Sequence, residues 1–186
     1  MAETPSTMLP LGTIAPDFTL PDTVSGEDVT LSTVQSDKAT VVMFLCNHCP
    51  FVKHVNGELV RLANDYQAED VTFVAISSND IESYPQDAPE RMKEVAETLS
   101  YPFPYLYDED QSVARAYHAA CTPDFFIFNP QMELVYRGQL DSSRPGNDIP
   151  VNGEDIRAAL DALLTGEPVS ENQRPSIGCN IKWKEA

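Results

Sequence analysis

Residues 40–50, Thr-Val-Val-Met-Phe-Leu-Cys-Asn-His-Cys-Pro, decide the fold of this chain. The first six are apolar or β-branched, which is typical of a buried β-strand. After them, apolar side chains recur at helical spacing, and Pro50 falls where the first turn of a helix tolerates proline. We therefore expect a helix over residues 50–67, with Cys46 at the junction of strand and helix. The apolar stripe of this helix consists of Val52, Val55, Leu59, Leu62 and Tyr66.

This placement predicts an unusual chemistry for Cys46. The first N–H groups of a helix have no partner within the helix, and they favour negative charge together with the helix dipole. A thiolate is negative, so Cys46 is expected to be more acidic and more nucleophilic than a free cysteine. Cys49, three residues later, can close or open a disulfide with it. The pattern is that of a dithiol/disulfide redox site.

The rest of the chain alternates short hydrophobic runs with helical patterns. Predicted strands precede the dithiol, follow it and form a late hairpin, while predicted helices lie between them. This order favours an α/β fold with a central mixed sheet and helices on both faces. The other predicted strands cover residues 17–20, 29–31, 71–76, 125–128 and 134–136. The other predicted helices cover residues 89–99 and 112–118, and a last one begins near Asn152 and ends at Gly166.

Length and charge limit the possible functions. The chain has 186 residues, enough for one domain with a buried core, here expected over residues 13–166. Residues 1–12 are predicted to be a loose arm, and residues 167–186 an irregular tail packed on the domain, with Trp183 available to dock it. A formal net charge of −17 argues against nucleic acid and anionic membranes as partners.

The expected location is the cytoplasm. The N-terminal residues lack the basic and apolar regions of a secretory signal, and no apolar run approaches the length of a membrane span. In a reducing compartment, four cysteines are expected to serve catalysis or metal binding rather than a structural disulfide framework.

Several strings, in order, resemble the thioredoxin-like superfamily, with a match from about Gly12 to Leu164. The N-terminal string APDFTLPDTVSGEDVTLS, residues 15–32, is similar to the alkyl hydroperoxide reductase/thiol-specific antioxidant (redoxin) group. The strings CNHCPFVKH, CTPDFFIF and SIGCNIKWK resemble a bacterial "thioredoxin family protein" subgroup with a C-N-H-C motif. The resemblance implies a thioredoxin-like fold with an N-terminal β-hairpin extension.

The same resemblance implies roles for individual residues. Cys46 would be the exposed nucleophile and Cys49 the buried resolving cysteine. His48, if protonated, would stabilise the Cys46 thiolate. Thr122 and Pro123 match the place of a cis-proline that faces the cysteines, where the Thr122 backbone points at substrate. With Asn47, they are the predicted substrate-binding residues.

Two further cysteines leave alternatives open. Cys121 directly precedes the Thr122-Pro123 dipeptide, and Cys179 lies in the aperiodic tail. They are candidates for a second redox pair or for a relay that takes oxidation from the main site. The simpler alternative is a buried Cys121 and an unrelated Cys179.

Departures from the family patterns argue against two activities. A peroxiredoxin-type peroxidase has the spacing P-x-x-x-T-x-x-C, but the Pro and Thr positions are Val42 and Cys46 when aligned on Cys49. They are Ala39 and Met43 when aligned on Cys46. Thioredoxin itself keeps a buried aspartate six residues before its first cysteine, where this chain has Thr40.

The sequence therefore predicts a thiol–disulfide oxidoreductase without a metal or organic cofactor. Its substrate would be a disulfide-containing protein or a small thiol compound, and a separate electron donor would restore the dithiol. The alternatives are a peroxiredoxin-like peroxidase and a zinc-bound or redox-inert binding domain. Zinc would need two ligands besides the cysteine pair. The candidates for them are His48, His54, Cys121 and Cys179.

Overall fold

The computed structural model describes residues 3–185. Met1, Ala2 and Ala186 belong to the predicted arm and tail and lie outside the described residues. Ten strands form a five-stranded, a three-stranded and a two-stranded sheet within this range. The strands are β1 (Glu3–Pro5), β2 (Thr19–Pro21), β3 (Asp28–Thr30), β4 (Ala39–Phe44), β5 (Val71–Ser77), β6 (Tyr105–Tyr107), β7 (Cys121–Thr122), β8 (Asp124–Phe128), β9 (Leu134–Gly138) and β10 (Ile177–Asn180).

The helices lie where the periodic patterns placed them, with one short addition over residues 31–34. None within residues 3–185 is long and apolar enough to cross a membrane. The α-helices are α1 (Leu31–Val34), α2 (Pro50–Gln67), α3 (Pro89–Thr98), α4 (Ser112–Ala116) and α5 (Glu154–Thr165), and a 3₁₀ helix covers Pro85–Asp87.

The five-stranded sheet has the order β6-β5-β4-β8-β9 and confirms the predicted central mixed sheet. Strand β4 lies at its centre, parallel to β5 and antiparallel to β8. Every residue of β4 is buried because both faces of the sheet are covered. Val41 and Met43 point into a core shared with α2, α3 and α5, whereas Val42 and Phe44 point into a second core with Tyr117.

Helix α2 has the predicted bounds, and its apolar stripe is buried. The β2–β3 pair, with Leu20 opposite Val29, confirms the predicted N-terminal hairpin. The last helix begins at Glu154 rather than near Asn152, because the Asn152 side chain accepts a hydrogen bond from the Glu154 N–H and ends the preceding loop. Helix α4 ends at Ala116, before His118, whose φ of 52° does not fit a right-handed helix.

The two ends of the chain correct the sequence predictions. The prediction of a loose arm is wrong for Glu3–Pro5, because these residues form β1 and pair with β10 in the tail. The tail, in turn, is not irregular throughout, since β10 also pairs with β7 to give the sheet order β1-β10-β7. Strands of two to four residues are too short to show a period of two, and their pairing joins distant parts of the sequence. Arg115 stacks over Trp183 and helps to hold the tail.

Gly178 is the tightest contact in the three-stranded sheet. A Cβ atom at this position would collide with the Thr122 carbonyl group. We therefore expect Gly178→Ala to lower the free energy of unfolding by roughly 1–3 kcal/mol, the cost of overpacking a rigid site. Urea denaturation would measure this loss as a lower midpoint, with the slope of the unfolding free energy against urea concentration unchanged.

Gly57 in α2 is the matched control, because an added methyl group would meet only the Arg61 side chain at 3.5 Å. Gly57→Ala should raise the free energy of unfolding by about 1 kcal/mol through helix propensity. Equal effects of the two substitutions would contradict the close packing of β10 on Thr122.

Candidate active site

The structure brings all four cysteines to the ends of β4, β7 and β10 and the start of α2. All are free thiols and all are buried. Cys46 is 2% exposed and Cys49 is 0% exposed, so the predicted exposure of Cys46 is wrong. Cys46, Cys49 and Cys179 belong to the same buried cluster as Val52 of α2.

Thr122 is the common neighbour of the dithiol. Its hydroxyl oxygen lies 3.5 Å from the Cys46 sulfur, and its carbonyl oxygen lies 3.4 Å from the Cys49 sulfur. The peptide bond between Thr122 and Pro123 is cis, as the resemblance predicted. The Thr122 backbone, however, pairs with Cys179 of β10 instead of facing an open substrate position.

The donors at this site stabilise a thiolate on Cys49. Helix α2 begins at Pro50, and Cys49 occupies its N-cap position without a side-chain hydrogen bond to the first turn. A hydrogen bond from the Cys46 thiol is the main cause that lowers the pKa of Cys49 to about 5. Burial opposes this effect, whereas Cys179, Val52 and Thr122 support it. Negative charge is therefore favoured on Cys49.

Cys46 has the opposite tendency. Its hydrogen bond to Cys49, its burial and the negative charge of Asp87 hold the pKa of Cys46 well above its usual range. The expectation that Cys46 is the more acidic cysteine is therefore wrong for the resting dithiol. One physical reason is the buried Asp87 carboxylate, which no sequence pattern places beside Cys46.

Asp87 is the site residue that sequence reasoning missed. Its fully buried carboxylate accepts hydrogen bonds from the backbone N–H groups of Asn47 and His48, at 2.8 and 3.3 Å. It also accepts one from the Asn79 side chain at 2.9 Å. A polar loop, residues 77–88, carries Asp87, and such a loop gives no signal in sequence that one of its carboxylates is buried. Asp87 fixes the backbone between the two cysteines.

His48 is turned towards Asp87. Its Nδ1 atom lies 2.5 Å from an Asp87 carboxylate oxygen, and its ring stacks on Tyr84 with centroids 5.5 Å apart. The Nε2 atom is buried without a hydrogen-bond partner among residues 3–185. Within the same range no hydrogen bond joins His48 to the Cys46 sulfur. No direct contact therefore supports the predicted stabilisation of a Cys46 thiolate by His48.

Asn47 has internal partners as well. Its side chain donates to the Gln86 carbonyl at 3.0 Å and accepts from the Tyr105 hydroxyl at 2.9 Å. Asn47 thus ties the dithiol loop to β6 and to the loop that carries Asp87. Its predicted contact with substrate stays a prediction.

The zinc alternative finds a partial set of donors in the described structure. Ligand atoms of Cys46, His48 and Asp87 lie within 4.8 Å of one another. Two ligands of a tetrahedral zinc ion, each about 2 Å from it, must be about 3.3 Å apart. The 2.5 Å separation between His48 Nδ1 and Asp87 is that of a hydrogen bond, so these atoms do not fit as zinc ligands. His54 lies elsewhere and hydrogen-bonds Ser143 at 2.7 Å.

Cys121 faces a different environment from the other three thiols. It lies near the carbonyl groups of Pro123 and Ser176, with sulfur–oxygen distances of 3.7 and 4.0 Å. Burial, with the nearby Asp124 charge, raises the pKa of Cys121 far above its usual range. Burial also raises the pKa of Asp124 to about 7, against the hydrogen bond that its carboxylate accepts from Ser6 at 2.8 Å. Cys121 is therefore a neutral thiol at physiological pH.

Comparison with known proteins assigns the family. The model of the AhpC/TSA family matches residues 11–137, more than half of the chain. The chain belongs to the AhpC/TSA family. No curated protein is similar enough to count as a match. The redoxin group and the thioredoxin-like fold that the sequence predicted are thereby confirmed, while the C-N-H-C subgroup stays a prediction.

Solved structures extend the comparison over the whole chain. An uncharacterized conserved protein from Geobacillus kaustophilus is 66% identical, with 100% of this chain and 98% of that chain covered and a TM-score of 0.99. A hypothetical protein from Sinorhizobium meliloti is 47% identical, with 98% and 100% covered and a TM-score of 0.96. A secreted disulfide oxidoreductase from Mycobacterium tuberculosis is 19% identical, with 78% and 96% covered and a TM-score of 0.61, which shows a shared fold.

The AhpC/TSA match contains the dithiol, Asp87 and the cis-proline, but it ends before the tail. Strand β10 and Cys179 therefore lie outside the matched region. The tail reaches the centre of the site from outside the matched region.

Asp87 should control the reactivity of Cys46. In a Cys49→Ser background, which removes the hydrogen bond between the cysteines, we expect Asp87→Asn to lower the pKa of Cys46 because a nearby negative charge disappears. The pH profile of Cys46 alkylation by iodoacetamide should then shift to lower pH. Asp80→Asn, in the same loop, is the control, and an equal shift there would contradict a specific effect of Asp87.

Asp124 should make stability depend on pH. An ordinary aspartate has a pKa near 3.9, so between about pH 4 and pH 7 the folded protein holds a proton that the unfolded chain has released. The contribution of Asp124 to stability must therefore fall as pH rises through this window. Asp124→Asn mimics the protonated form and should be more stable than the parent at pH 8, by up to about 4 kcal/mol, with little difference at pH 4.

Urea denaturation of both proteins at several pH values would measure this difference. The comparison cancels the titration of the many surface carboxylates that the two proteins share. A constant difference between pH 4 and pH 8 would show that Asp124 is ionised throughout.

Proposed function

We propose that this protein is a thiol–disulfide oxidoreductase that uses Cys46 and Cys49. One observation carries the proposal: the sulfurs of Cys46 and Cys49 lie 3.5 and 3.4 Å from two oxygens of Thr122 at the start of α2, so that both thiols share one buried polar neighbour. The lowered pKa of Cys49 beside the raised pKa of Cys46 supports it, because a thiolate beside a neutral thiol is the state that begins disulfide exchange. Membership of the AhpC/TSA family, with its thioredoxin-like fold, supports a redox enzyme.

Cys46 is the proposed attacking residue, although the resting charge lies on Cys49. The shared hydrogen bond lets the proton pass from Cys46 to Cys49, which leaves a thiolate on Cys46. Its neighbours Asn47 and His48 are only partly buried, so Cys46 lies on the side of the dithiol nearer to solvent. Cys46 attacks one sulfur of a substrate disulfide and releases the other as a thiol. Cys49 then attacks Cys46, and the second half of the substrate leaves as a thiol.

The burial of the dithiol restricts the substrate. With Cys46 only 2% exposed, a disulfide in the middle of a folded protein surface cannot reach its sulfur without movement of the covering residues. We therefore favour a small disulfide, or one on an exposed extended segment. A separate dithiol donor would restore the reduced form in a reducing cytoplasm, and Asn47, Thr122 and Pro123 would line the path of the substrate.

A peroxidase is the second candidate. The Thr122 hydroxyl, 3.5 Å from the Cys46 sulfur, could hydrogen-bond a peroxide in place of the hydroxyl that the sequence lacks at Met43. Here Cys46 would attack the peroxide, form a sulfenic acid and be resolved by Cys49 as a disulfide with loss of water. Family membership is compatible with both activities.

Two cysteine variants test the proposal. With oxidised glutathione as substrate, Cys46→Ser should reduce disulfide turnover to the uncatalysed level, because the attacking sulfur is gone. Cys49→Ser should accumulate a mixed disulfide, seen by mass spectrometry as one glutathione attached to Cys46. Cys121→Ser, a change of an equally buried thiol, should keep the parent activity.

Hydrogen peroxide in place of oxidised glutathione separates the two candidates. Peroxide consumption faster than disulfide turnover, lost in Cys46→Ser, would make the peroxidase the better description. Full turnover of oxidised glutathione by Cys46→Ser would refute the proposed exchange.

A further inference from the structure

The tail strand occupies the backbone edge beside the cis-proline. Cys179 pairs with Thr122, and Asn180 pairs with Cys121, in antiparallel register. Gly178 lies so close that only a residue without a side chain fits against the Thr122 carbonyl group. The segment that the sequence predicted to receive substrate therefore holds a cysteine of the same chain.

Cys179 and Cys49 meet at the first turn of α2. Both are neighbours of Thr122, since the Cys49 sulfur lies 3.4 Å from its carbonyl oxygen and Cys179 pairs with its backbone. Cys46, Cys49 and Cys179 also share one buried cluster with Val52 of α2. Interaction with Cys49 is one cause that raises the pKa of Cys179, so the two thiols affect each other. Cys49 therefore has both Cys46 and Cys179 as neighbours.

The tail is held firmly in this position. The Ser176 hydroxyl donates to the Pro123 carbonyl at 2.5 Å, and the Ile181 N–H donates to the Ala120 carbonyl at 3.0 Å. Beyond the strand, the Lys182 N–H donates to the Asn79 side chain at 2.9 Å. Cys179 is therefore a fixed part of the site, held opposite Thr122.

Oxidation of the main pair would favour Cys179 as a nucleophile. In the reduced protein, burial and the adjacent Cys49 raise the pKa of Cys179 to about 12, whereas the charge of Lys182 opposes this. Once Cys46 and Cys49 form a disulfide, Cys49 carries no negative charge. Lys182 then acts on Cys179 without that opposition.

We infer that Cys179 is a third redox cysteine, which attacks Cys49 of the Cys46–Cys49 disulfide and moves the disulfide to Cys49–Cys179. This inference rests on the proposed function, which supplies the first disulfide. One sulfur–sulfur bond breaks and one forms, the Cys179 proton passes to Cys46, and no electrons enter or leave. The product links the tail covalently to α2 and returns Cys46 as a thiol while the protein stays oxidised by two electrons.

Disulfide mapping tests the exchange. The full chain is treated with oxidised glutathione, quenched with acid, alkylated and digested, and the linked peptides are identified by mass spectrometry. The parent should give both Cys46–Cys49 and Cys49–Cys179 peptides, with alkylated Cys46 in the same amount as the second. Cys46→Ser should still form Cys49–Cys179, and Cys179→Ser should form Cys46–Cys49 alone.

Matched variants make each outcome decisive. Cys121→Ser should give the parent pattern, because Cys121 faces Pro123 and Ser176 rather than Cys49. Cys46→Ala and Cys179→Ala repeat the test should a serine variant fail to fold, as judged by circular dichroism. Formation of Cys46–Cys49 without any Cys49–Cys179 in the parent or in Cys46→Ser would overturn this inference and leave the proposed function intact. Absence of every disulfide that contains Cys46 would overturn the proposed function itself.

Discussion

The backbone of Thr122 is the constraint on which the rest of the site depends. Its carbonyl oxygen lies beside the Cys49 sulfur, its hydroxyl lies beside Cys46, and its strand pairs with the tail. The cis peptide to Pro123 separates β7 from β8, so that one side of this segment belongs to the three-stranded sheet and the other to the five-stranded sheet. The dithiol lies where these two sheets meet the start of α2. A substitution at Thr122 would therefore disturb the sheet pairing, the contacts of the dithiol and the position of the tail together.

The neighbours of the two cysteines decide where negative charge is favoured. Interaction with Cys49, burial and the nearby Asp87 raise the pKa of Cys46, whereas the pKa of Cys49 is lowered chiefly by Cys46 itself. Negative charge is therefore favoured on Cys49, the less accessible of the two sulfurs. Such an arrangement protects a thiolate from solvent while it keeps a second sulfur beside it.

Local patterns predicted most of the fold and half of the site. The bounds of α2 follow from a long apolar stripe, and the position of the dithiol follows from a strand next to a helix; both depend on neighbours in sequence. The cis-proline was predicted only because a short string, CTPDFFIF, resembles those of the superfamily. Asp87 was missed because burial of a loop carboxylate depends on donors such as Asn79, which no local pattern displays. The pairing of β1 with β10 joins opposite ends of the chain, and that is equally invisible to periodicity.

One hydrogen-bond network connects access to Cys46 with its acidity. The Asn79 side chain donates to Asp87 through its nitrogen, and its oxygen accepts the Lys182 N–H of the tail. The Asp80 N–H, next in sequence, donates to the Lys182 carbonyl at 2.8 Å. The loop that places a negative charge beside Cys46 is therefore the same loop that anchors the tail over the dithiol. Since buried polar groups are costly to leave unpaired, the tail cannot leave this loop without a loss of partners for Asn79. The cover of the dithiol and the electrostatic control of its first cysteine are consequently parts of one structure.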